Sequence, residues 1–173
     1  MAVRDELQQE IEATRRDFHQ LLDEVPDEAL TQPSDNPAWT IGEVLYHMSL
    51  APRLMVADVS MITGQRQIYQ LFPKLVPQGL FDWVNKVYTR AKGRNLSHRQ
   101  LAEAYDQATE QILKTLAAVP DEDFTKSAEY PSWDPLLSGE VTLVQLFHYV
   151  KAHFELHAGQ IRDRYKGFGQ GEN

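Results

Sequence analysis

The chain contains no cysteine. That removes disulfides, thiolate metal ligands and a cysteine nucleophile, so any thiol chemistry needs a thiol from outside. Basic residues are also scarce, 17 Lys and Arg against 25 Asp and Glu, giving a formal charge of −8 and a pI near 5.2. Such a surface lacks the concentrated basic footprint that nucleic-acid binding requires. No apolar run approaches the length of a membrane span, and the first twelve residues are charged and amphipathic. A cytoplasmic protein with no membrane or nucleic-acid partner is the expectation. Period-two patterning is missing too, so no sheet is expected.

What is present is helical periodicity in an ordinary globular composition, 42% apolar and 24% charged over 173 residues. One domain over residues 1–166 is expected, with a frayed glycine-rich tail at 167–173. Helices are predicted over 2–23, 40–62, 97–118 and 141–165. Between the second and third, residues 63–95 form a connection far longer than a helical hairpin needs. Within it Leu80 to Tyr88 is amphipathic and predicts a short helix, followed by a basic end.

The two halves repeat at an offset of 94: Leu22, Val25-Pro26-Asp27-Glu28, Thr31 and Trp39 match Leu116, Val119-Pro120-Asp121-Glu122, Thr125 and Trp133. Each half reads as a helix stopped before proline, a loop with a tryptophan, and a second helix opened by Thr40 or Thr142. A stretch from Asp134 to Gly139 separates the second tryptophan from its helix and breaks the likeness.

Three of the six histidines stand on faces that seek the core. His153 and His157 are four residues apart, roughly 40° on a helix, and share their side with Leu146, Tyr149, Val150 and Leu156. His47 shares a face with Val44, Leu50, Ala51 and Leu54. A buried imidazole needs a partner, which is either one hydrogen bond in a packed core or a metal ion. His19 and His98 have polar neighbours and read as solvated, and His148 points away from the pair. Phe154 follows His153 where a zincin would carry glutamate, which excludes that class. Glu43, one turn before His47, is a candidate base or ligand partner, with Asp58 further along. Lys86, Arg90 and Arg94 read as a solvated face or as an anion-binding rim over the metal.

Two motifs carry a family resemblance: Trp39-Thr40-Ile41-Gly42-Glu43-Val44-Leu45-Tyr46-His47 and His153-Phe154-Glu155-Leu156-His157-Ala158-Gly159-Gln160-Ile161. In this order and separation they resemble the DinB-like superfamily, the damage-inducible or YfiT-like metalloenzymes. The resemblance implies an all-α four-helix bundle in up-down-down-up order, a homodimer, and His47, His153 and His157 as ligands of one divalent ion. Gln160 would then hydrogen-bond beside the ligands. Three imidazoles leave positions open for water or substrate, as in a catalytic site, and suit zinc or nickel. Family members imply a stress-related transferase that uses a low-molecular-weight thiol cosubstrate against a small-molecule electrophile. A metal-dependent hydrolase needs the same ligands. A non-catalytic binding or sequestering protein on the same scaffold is the third alternative.

Overall fold

In a computed structural model, described over residues 2–64 and 77–168, helix α1 (Val3–Glu24) buries Leu7, Ile11, Thr14, Phe18, Leu21 and Leu22. Helix α5 (His98–Ala118) buries Leu101, Tyr105, Ala108, Ile112 and Leu116. Both sets recur at three- and four-residue steps, the spacing of one helical stripe. The stripes meet, and Phe18 stacks on Tyr105 with centroids 3.9 Å apart. Leu7 and Leu101, Ile11 and Tyr105, Phe18 and Ile112, and Leu22 and Leu116 all stand at the 94-residue offset. The sequence repeat is therefore a repeat of core positions.

Each long helix ends the same way. Val25 and Val119 turn extended before proline, donating N–H to Leu22 O and Leu116 O at 3.2 Å. A single-turn helix follows in each half, Asp27–Ala29 and Asp121–Thr125. Pro33 bridges Thr40, as Ser127 bridges Thr142. Ile41 N–H then donates to Gln32 O at 3.0 Å, and Leu143 N–H to Lys126 O at 2.9 Å. The difference is the Asp134 to Gly139 stretch. It closes a hairpin of β1 (Ser127–Tyr130) and antiparallel β2 (Gly139–Thr142). This corrects the expectation of no sheet: four-residue strands are too short to show a period, though burial along β1 alternates as a half-buried strand should. Gly139, at φ +69°, supplies the left-handed backbone where β2 begins.

The predicted second helix is two. α2 (Ile41–Met48) and α3 (Leu50–Thr63) join at Ser49, which stays in the helical region at φ −70°, ψ −14°. Pro52 is the cause: it has no N–H for the Met48 carbonyl, and its ring crowds that turn. Ser49 closes the end of α2, its Oγ donating to Tyr46 O at 2.7 Å and its N–H to the same oxygen at 3.0 Å.

The described end of the long connection forms α4 (Gln78–Gly93), longer than the predicted short helix; residues 65–76 and the tail beyond 168 lie outside the described residues. α6 (Leu143–Phe168) runs through both last histidines. The fold is mostly helical: α1 packs on α5 and α6, α3 on the same two, and α4 on α2. α4 reaches α2 at Gly93, where an added Cβ would stand 2.9 Å from the Cβ of Tyr46. Among the described residues no helix is long and apolar enough to cross a membrane.

Candidate metal centre

Thr40 starts α2 with a reciprocal cap. Its N–H donates to Glu43 Oε2 at 2.9 Å, and its Oγ1 accepts from Glu43 N–H at 3.3 Å. His47 falls in the last turn before the Ser49 kink. The hairpin and a second reciprocal cap, between Thr142 and Gln145, start α6 and aim His153 and His157 at His47. Ring centroids are 4.8 Å apart from His47 to each of the other two and 4.6 Å between His153 and His157. All three are at least nine-tenths buried, and one ring nitrogen from each lies within 4.8 Å of the others.

The donor set fits a divalent ion. Nε2 of His47 and Nε2 of His153 are 3.1 Å apart. Two nitrogens at the usual zinc distance of ~2.0 to 2.1 Å stand roughly 2.9 to 3.4 Å apart, between right-angle and tetrahedral geometry. A hydrogen bond between two neutral imidazoles uses one proton only, and Nδ1 of His47 and of His153 is buried without a partner. A cation between the Nε2 atoms uses both lone pairs. Gln160 Oε1 lies 2.9 Å from His157 Nδ1, which places the proton there and turns Nε2 of His157 inward.

Burial also sets the protonation state. It pushes His47 down to about 3, with His157 adding repulsion. It pushes His153 well below its ordinary value, with both neighbours contributing, and lowers His157 against the opposing pull of Gln160. Neutral imidazole is the metal-binding form.

The centre forms part of a cleft of about 370 Å³. Trp39 packs on His47 at 4.6 Å and Tyr149 on His153 at 5.4 Å. Leu54 and Leu156, expected in the core, are 50% and 43% exposed and line the cleft instead. The opposite wall comes from Gln78, Phe81, Asp82 and Asn85, one face of α4, with Trp133 and Asp134 from the hairpin. Sequence reasoning missed Tyr149, Phe81, Trp133 and Asp134 as site residues. The signal for Trp133 was its pairing with Trp39 in the repeat.

Other expected residues stand elsewhere. Glu43 lines clefts on the far side of Trp39, because helical side chains lean towards the N-terminus and its carboxylate folds back onto Thr40. Arg90 and Arg94 line one of those clefts with it, about 770 Å³ in volume. Lys86 is exposed, and its carbonyl lies 3.5 Å from the Trp39 indole nitrogen. Lys86 stands one turn after Asp82, and each further four-residue step winds about 40° around the axis, so Arg90 and Arg94 turn away from Phe81 and Asn85; none of the three is among the described residues that line the histidine cleft. Asp58 accepts from Tyr130 hydroxyl at 2.6 Å. His19 contacts Asp106 at 2.8 Å, His148 contacts Glu10 at 2.7 Å, and His98 sits between Asp27 and Val25 O at 2.5 and 2.6 Å. These three have polar partners rather than water alone.

The DinB superfamily model matches residues 10–161. The chain belongs to the DinB superfamily. Among solved structures, it is similar to a mycothiol-dependent maleylpyruvate isomerase, with TM-score 0.66 and 10% identity over 92% of this chain and 62% of that one. A variant of that isomerase matches at TM-score 0.59 and 12% identity. An uncharacterized protein from Clostridium difficile 630 matches at TM-score 0.64 and 16% identity over 94% of this DinB chain and 95% of its own. At such identities the likeness is one of fold. The chain spans less than two thirds of the isomerase, and no curated protein matches it.

The depressed histidines give metal-free protein a defined pH response. Between pH 6.5 and about 3 the unfolded chain binds a proton at His47 that the folded state refuses. Stability is thus full above pH 6.5 and falls as pH drops, by about 1.4 kcal/mol per pH unit for each such imidazole. Asp58, raised by burial, works in the opposite sense. Urea unfolding at pH 7 and pH 5 should therefore show a smaller loss in His47→Gln than in the native chain; equal losses would contradict burial of neutral histidines.

Proposed function

We propose that the protein is a divalent-metal enzyme in which His47, His153 and His157 hold one zinc or nickel ion and an exogenous low-molecular-weight thiol attacks a small-molecule electrophile. The observation that carries it is the convergence of three buried, neutral imidazoles at metal-ligand spacing on the wall of an open cleft. The finer architecture, a four-helix bundle in up-down-down-up order that pairs into a homodimer, belongs to the same proposal. The apolar α4 stripe of Leu80, Trp83, Val84, Val87 and Tyr88, all more than 40% exposed, supports pairing.

When bound, the ion supplies Lewis acidity, which lowers the pKa of a coordinated thiol so that thiolate is present near neutral pH. The chain supplies the rest. Gln160 fixes the proton of His157 on Nδ1, keeping its other nitrogen free to coordinate. Trp39 and Tyr149 pack against His47 and His153 and shield them from water. The Tyr149 phenol is held protonated by burial and by Asp134 and Asp58, so it offers a hydrogen-bond donor. Glu43 is committed to the cap that sets the direction of α2, and in this proposal it positions His47 through that helix. Arg90, whose Nε donates to Ala38 O at 2.7 Å, and Arg94 hold the carboxylates of an acidic thiol such as glutathione or bacillithiol in the cleft beyond Trp39, with Lys86 next along α4.

Cobalt-loaded protein should develop a sulfur-to-metal charge-transfer band with glutathione, bacillithiol or mycothiol, and conjugate electrophiles only when that thiol is present. His157→Ala should lose both. Electrophile loss that proceeds without thiol would move the assignment to hydrolysis, and metal binding without turnover of either kind would leave a binding protein. Sedimentation at micromolar concentration should give a dimer that Trp83→Glu converts to monomer; a native monomer would refute pairing.

A further inference from the structure

Beside the histidines the cleft continues into a smaller pocket of about 160 Å³ between α3, the hairpin and α6. Leu54, Phe81, Trp133, Asp134 and Tyr149 line both, so the two spaces share a wall. Met55, Pro131 and Leu137 close the inner end. Of the polar groups there, Asp58 accepts from Tyr130 at 2.6 Å and Asp134 Oδ1 accepts from the N–H groups of Leu136 and Leu137 at 2.8 Å. A guest therefore finds chiefly apolar and aromatic surface, with the Tyr149 hydroxyl at the wall shared with the histidine cleft. A dry apolar cavity of about 150 Å³ holds one benzene molecule, so the volume here suits a single six-membered ring. Phe81 and Trp133 stand 5.2 Å apart at 44°, a tilted pair that forms an aromatic wall.

Charge narrows the guest further. Asp58, Asp82 and Asp134 line the joined space, and among the described lining residues no Lys or Arg does. The arginines line the cleft beyond Trp39. A carboxylate carried into the side pocket would meet the like charge of Asp58 and Asp134, and like-charge juxtaposition suppresses wrong partners.

We propose that this side pocket is the specificity pocket of the histidine site, and that it takes a neutral electrophile carrying one ring-sized apolar group while rejecting anionic ones. The inference rests on the histidine cleft being the reaction site. It adds which of the two substrates enters from which side: the acidic thiol over the arginines, the neutral electrophile over the carboxylates.

The test uses benzyl alcohol and benzoate as probes, followed by methyl resonances of Met55, Leu54 and Leu137 in metal-free and zinc-loaded protein. Benzyl alcohol should shift Met55 and Leu137 saturably in both forms, with benzoate at least tenfold weaker. Leu54→Trp, placed at a half-exposed position on the shared wall, should weaken the alcohol at least tenfold without unfolding the core. Asp82→Asn combined with Asp134→Asn should narrow the gap between the probes. Absence of a saturable shift, benzoate binding as tightly as the alcohol, or indifference to Leu54→Trp would overturn the pocket. Zinc uptake without probe binding would overturn the pocket and spare the metal site, and probe binding without zinc uptake would do the reverse.

Discussion

The constraint on which the structure depends is the burial of three imidazoles in contact with one another. Each is a polar group with little water, and two have an inward nitrogen facing another inward nitrogen at 3.1 Å. Left without a cation, the facing Nε2 pair can share only one proton, and the cluster refuses protons that free histidine would accept; the outer Nδ1 atoms of His47 and His153 are buried without a partner with or without an ion at Nε2. Proteins tolerate such costs chiefly at sites that do chemistry. The local structure then reads as support for that cluster. Pro52 and Ser49 bend the chain one residue after α2 ends, leaving His47 in its last turn. Two reciprocal caps, one in each half, set the directions of α2 and α6, and Gln160 fixes one imidazole proton.

Around the cluster, charge is sorted by helix face. α4 presents Phe81, Asp82 and Asn85 to the histidines, whereas Arg90 and Arg94 line a separate cleft with Glu43. Trp39 belongs to both clefts and packs on His47, so one side chain divides an acidic, aromatic space from a basic one. The proposed two-substrate reaction would use that division, each partner being recognised by its own field. The duplication explains why the spaces differ. The first half closes its Pro33 to Thr40 loop tightly, and the second inserts the hairpin that brings Trp133, Asp134 and Leu137 to the other side.

The triad was legible in sequence because helical spacing fixes which residues share a face, and His153 and His157 need only their own helix to meet. The repeat was legible because Val-Pro-Asp-Glu marks the same helix end twice. The kink at Ser49 was not, since the apolar stripe of 40–62 continues through it and only Pro52 betrays the break. Glu43 was misplaced for a related reason: its position on the stripe says which side of the helix it occupies, not that its carboxylate turns back to Thr40. Lys86, Arg90 and Arg94 were grouped by charge, while the fold separates them from the histidines by face. The side pocket depends on contacts between α3, α4, the hairpin and α6, which no local pattern encodes.

The central claim, one divalent ion on three imidazoles, is tested most directly by zinc K-edge X-ray absorption on untagged protein loaded with one equivalent. Three imidazole nitrogens at ~2.0 to 2.1 Å should give their multiple-scattering signature, and His47→Ala, His153→Ala and His157→Ala should each lose zinc. Zinc held without that signature, or retained equally in all three variants, would contradict the account.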